Sequence, residues 1–194
     1  MTSAGNPPDN SAPAGVPEHI VSCIIETLHN QRGVHAETAI SAAAVLTGEF
    51  VLRSSGYDFS GLEPGSVIIS DVVNQLLFEA DGQLTVSDVF INALFGQGID
   101  VSKESWPENI PDEHQVVMDP LEIVARVRPR VEQLMMQQQI EGLERAYTGA
   151  QATAMLVAQT RRVLDPNIGK ALALEAMLRG AKCVPLPAMA ANAN

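Results

Sequence analysis

Apolar residues return every three to four positions along most of this 194-residue chain, and that period restricts what it can fold into. Ile20, Val21, Ile24, Ile25 and Leu28 follow the i, i+4, i+8 rows of a buried helical stripe. Ile40, Ala43, Ala44, Thr47, Phe50 and Val51 do the same within a helix expected from His35 to Ser54. Over 66–79, the pairs Ile68–Ile69, Val72–Val73 and Leu76–Leu77 recur every four with polar residues between them, which is a helix period. The β-propensity of Val67–Ile69 leaves a short strand at Ser66–Ser70 as the competing local structure.

Helix punctuation agrees with the period. Pro17 and Glu18 suit a first turn, and Thr85 with Asp88 has the spacing of a capping box. Asp119–Pro120 and Asp165–Pro166 each read as an N-cap followed by a first-turn proline. Gly33, Gly56, Gly96 and Gly180 read as stops. The stripe Ile123, Val127, Val131, Leu134, Met135 runs in phase through Pro129, which predicts a kinked helix or a tight junction there. Gly149 is expected to separate a soft helix from an Ala-rich one over 150–164.

Composition supports the same class. There are 24 Ala but only five Phe, two Tyr and one Trp, so the residues that favour helices outnumber those that favour strands. The expected fold is all-α: an irregular bundle of about seven or eight helices with a long loop near 99–118. A disordered leader over 1–16, one helical domain over 17–180 and an extended tail over 181–194, set by Val-Pro-Leu-Pro, complete the expected organisation.

The net charge of −11 disfavours nucleic acid and anionic membranes as partners. It is unevenly spread. Residues 1–125 hold 18 acids against 3 bases, whereas 126–194 hold 5 acids against 9 bases. Such a division suits two halves that face each other in one fold or one dimer. The first sixteen residues have no Lys or Arg and no apolar run, so no signal or transit peptide is expected, and no apolar stretch approaches a membrane span. Cys23 and Cys183 lack Cys-x-x-Cys spacing, and Cys23 lies in an apolar stretch as a small hydrophobe. A soluble, cytoplasmic protein is expected.

Motifs that name a chemistry are missing. There is no nucleophile elbow, no dinucleotide or phosphate loop, and no Cys with a His partner in view. Glu26 and His29 have the Glu-x-x-His spacing of carboxylate-bridged metal bundles, but such bundles need two pairs and only one is present. No metal and no cofactor are therefore expected. Two places remain as candidate sites. Arg126, Arg128 and Arg130 surround Pro129, with Arg126 and Arg130 four apart as a possible anion or partner contact. The loop 99–118 holds Trp106 and His114, and loops of that length are uncommon unless they serve a function.

These features point to a helical interaction or regulatory protein acting as a homo-oligomer, most simply a dimer. The alternative is a small-molecule binder or enzyme with an apolar inter-helix pocket gated by the 99–118 loop.

Overall fold

Seven α-helices organise the residues that the computed structural model describes, which are 15–79, 82–101 and 110–189. They are α1 (Val16–Leu28), α2 (Ala36–Ser54), α3 (Asp71–Phe78), α4 (Val86–Gly96), α5 (Pro120–Gln137), α6 (Leu143–Thr160) and α7 (Pro166–Ala181). One 3-10 turn, Asp112–His114, precedes α5. The molecule is an all-α multi-helix bundle, as the apolar period predicts.

Helix starts follow local chemistry. The Asp119 carboxylate accepts the Leu121 N–H at 3.0 Å, and Asp165 accepts that of Asn167 at 2.8 Å. Thr85 and Asp88 close a reciprocal capping box, each side chain accepting the other's backbone N–H. Each such cap contributes about 1 kcal/mol.

Helix α2 is the axis of the bundle. Every residue from Thr38 to Leu52 is buried, and α1, α5, α6 and α7 pack around it. Small side chains make this possible: Ala42, Ala43, Ala44 and Gly48 leave α2 slim. A Cβ on Gly48 would run into the Met177 carbonyl and lie 2.6 Å from the Ala181 nitrogen, and one on Gly180 would overlap the Val45 carbonyl. Helices α2 and α7 therefore cross with backbone against backbone. Phe50 and Phe90, both fully buried, fill the wider spaces. Burying a side chain of that size stabilises the fold by roughly 1.5–3 kcal/mol.

Two local expectations are corrected, and an open one is decided. Gly149 does not separate two helices but lies inside α6, where its missing Cβ lets α6 rest on Thr47, whose Oγ1 would be 2.7 Å from any Cβ placed there. The helix expected over 66–79 begins only at Asp71, capped by Ser70. Its first residues are instead extended, because their backbone pairs with the tail: Gly65 and Ile68 donate to Val184 and Lys182, and Val184 donates back to Ser66, at 2.7–2.9 Å. Around Pro129, α5 is one continuous helix.

Beyond α7, residues 183–189 are tied down within the chain. Val184 is buried, Met189 donates its N–H to the Ala125 carbonyl at 2.9 Å, and Arg128 donates to the Leu186 carbonyl at 2.8 Å. No described helix is long and apolar enough to cross a membrane.

Candidate functional site

The segment 110–118 lies across the N-terminal half of α2, and two contacts fix it there. Thr38, buried in the first turn of α2, accepts the Val117 N–H on its hydroxyl at 3.1 Å. One residue earlier, Glu37 receives His114 Nδ1 at 3.0 Å. His35 Nδ1 stands 3.4 Å from the other Glu37 oxygen. Burial pushes the Glu37 carboxyl up, but the His114 hydrogen bond, its own backbone N–H and the charges of both imidazoles outweigh that and hold it below the ordinary value. An ionised Glu37 can only accept, so His114 Nδ1 is the donor of this hydrogen bond.

Beside this pair is a cavity of about 400 Å³ between α2, the 110–116 segment and α7. Val45, Ile110, Val116, Pro120, Leu172 and Ala176 supply its apolar walls, and Ser41, His114, Gln115, Glu175 and Arg179 its polar groups. Ser41 is one helical turn after Glu37 and is 3 % exposed, yet its hydroxyl takes no hydrogen bond from any described residue. Arg179 and Asp119 pair at 3.1 Å across the rim, while Glu175, exposed on the same face of α7 as Arg179, makes no ion pair with a described residue.

Of the two residues singled out in the 99–118 loop, His114 thus joins a cavity, and Trp106 lies outside the described residues. Glu37, Ser41, Glu175 and Arg179 are absent from the sequence-based candidates. Their i, i+4 spacings, Glu37–Ser41 and Glu175–Arg179, place each pair on one helix face, but nothing in the sequence shows that the two faces meet.

The arginines around Pro129 do not form one site. Arg128 is buried, with Nε 2.7 Å from Glu49 Oε1, although its N–H does not aim at that oxygen. Arg53 reaches the same oxygen at 2.7 Å. Burial holds the Glu49 carboxyl above its ordinary value, against the pull of both guanidiniums. Arg130 pairs with Glu26 at 2.9 Å in the open, and Arg126 makes no ion pair with a described residue. Both paired glutamates belong to the acidic first half of the chain. Since Glu26 faces Arg130 and His29 is exposed past the end of α1, that Glu-x-x-His does not project inward. Among the described residues no three His, Cys, Asp or Glu side chains gather as a metal-binding set. Arg161 and Arg162 border a second depression of about 440 Å³ with Gln97 and Gln159.

Against known proteins, the chain matches no family model, no curated sequence and no solved structure.

Proposed function

We propose that this protein binds a small molecule in the cleft between α2, the 110–116 segment and α7. The observation that carries this reading is Ser41: a residue only 3 % exposed, whose hydroxyl takes no hydrogen bond from a described residue, on the wall of a cavity of about 400 Å³. That volume falls within the range of ligand sites. The 110–116 segment that lines the cleft is part of the 99–118 loop expected from the sequence to gate such a pocket. A thermal-shift screen of the full chain against metabolites tests the reading, because a ligand that prefers the native state raises the melting temperature. A hit that stabilises the wild type, but not a Ser41→Ala variant, is the expected result. A screen at millimolar concentrations without a hit overturns it.

A second reading, an interaction or regulatory protein that forms a homodimer, is supported by a different surface. Val67 and Ile69 are 76 % and 90 % exposed, with Leu62 and Val72 also exposed. Because this segment is already paired with the tail on one backbone edge, its apolar side chains form a fixed strip suited to a second copy. Light scattering should then give twice the 20.7 kDa chain mass at tens of micromolar, and Ile69→Glu should give the monomer. A monomeric wild type sinks this reading. Two free cysteines, Cys23 and Cys183, support a reducing, cytoplasmic setting for either role.

A further inference from the structure

We infer that the ligand of this cleft is a small organic cation, a primary amine on a short apolar body. The inference rests on the small-molecule reading above and adds the chemical class.

Two independent features point to a cation. The first is charge. The described lining of the cavity holds one carboxylate, Glu175, and one guanidinium, Arg179, which Asp119 already holds at 3.1 Å. Glu175 is the carboxylate left without an ion pair among the described residues.

The second feature is hydrogen-bond polarity. An ammonium has three donors and no acceptor, so it needs acceptors around it. The cavity provides the Glu175 carboxylate and the Ser41 oxygen, which takes no hydrogen bond from a described residue. An anion would need donors, and the described lining offers Arg179, already held by Asp119, the Gln115 amide and the Ser41 hydroxyl.

Calorimetric titration of the full chain tests the inference with monoamines and α,ω-diamines of three to six carbons, each beside the diol and the dicarboxylate of matching length. Saturable one-to-one binding of amines, without binding of the diols or dicarboxylates, is expected. Glu175→Gln and Ser41→Ala should each weaken that binding about tenfold or more. Glu175 is exposed and the serine change is small, so both variants should keep the wild-type melting temperature when unliganded. Dicarboxylate or diol binding that depends on Ser41 would overturn the amine inference and leave the small-molecule reading standing. Amine binding that survives Glu175→Gln unchanged would overturn it too. If no amine binds, the inference fails, and if the metabolite screen is also empty the reading beneath it fails as well.

Discussion

The backbone N–H of Met189 donates at 2.9 Å to the carbonyl of Ala125, the acceptor that Pro129 leaves without an intrahelical partner. In an uninterrupted helix, the residue four places on would supply that hydrogen bond, and proline has no N–H to give. The extended tail fills the gap. One turn along, Arg128 donates to the Leu186 carbonyl, so the tail is held by the same stretch of α5 at two points. The proline is thus accommodated within a continuous helix, with a segment from the far end of the chain completing the ladder.

Pro129→Ala should separate the two effects of this arrangement. Alanine restores an N–H that competes for the Ala125 carbonyl and favours the helix by up to about 3 kcal/mol. The end of the tail then loses a partner. Hydrogen exchange should show faster exchange at Met189 while the core of α5 is unchanged or slower. Unaltered protection at Met189 would mean that the tail is held by its other contacts alone.

Arg128 and Arg130 should differ sharply although they are two residues apart. Arg128 is buried against Glu49, so Arg128→Met leaves a buried carboxylate with Arg53 alone and frees the Leu186 carbonyl. Breaking a buried pair from one side costs about 3 kcal/mol, which for a chain of this size lowers the melting temperature by roughly 6–12 °C. Arg130→Ala removes only an exposed contact with Glu26 and should change stability by about 0–1 kcal/mol. Thermal melts of the two variants side by side check the contrast.

The same contrast shows where sequence reading succeeds. Asp119–Pro120, Asp165–Pro166 and Thr85–Asp88 were legible because a cap is made by residues two or three apart, and each forms as its spacing predicts. Gly149 misleads because its role is set by Thr47, about a hundred residues away, and a local rule sees only a helix breaker. Ser66–Ser70 carried both helix and strand signals, and pairing with residues 182–184 decided for the extended form. The candidate site was half legible. The length and charge of the 99–118 loop drew attention to His114, but its partner Glu37 and the facing Glu175 depend on helices meeting in space, which no spacing encodes.

Gly48→Ala tests the crossing of α2 and α7. The added methyl overlaps the Met177 carbonyl and Ala181 nitrogen, both backbone atoms that yield only if the helix moves. Overpacking of this kind costs about 1–3 kcal/mol or more, despite the better helix propensity of alanine. The variant should melt several degrees lower than wild type. An equal or higher melting temperature would show that the two helices separate without penalty.

Glu37 gives the fold a pH dependence whose sign is fixed. Its carboxyl is held below the ordinary value in the native state, so the unfolded chain binds its proton more readily than the folded one. The contribution is therefore fully present above the ordinary carboxylate value and is lost as pH falls through the lower, native one. Glu37→Gln removes that contribution while keeping the side-chain size. The difference in melting temperature between wild type and Glu37→Gln should be largest near neutral pH and shrink as pH falls below about 4. Comparing the two proteins at each pH cancels groups that titrate alike in both, including Glu49, whose carboxyl is shifted the other way. A difference that stays constant from neutral to acid would show that His114 does not stabilise the Glu37 carboxylate. The loop would then be held on α2 by the hydrogen bond from Val117 to Thr38.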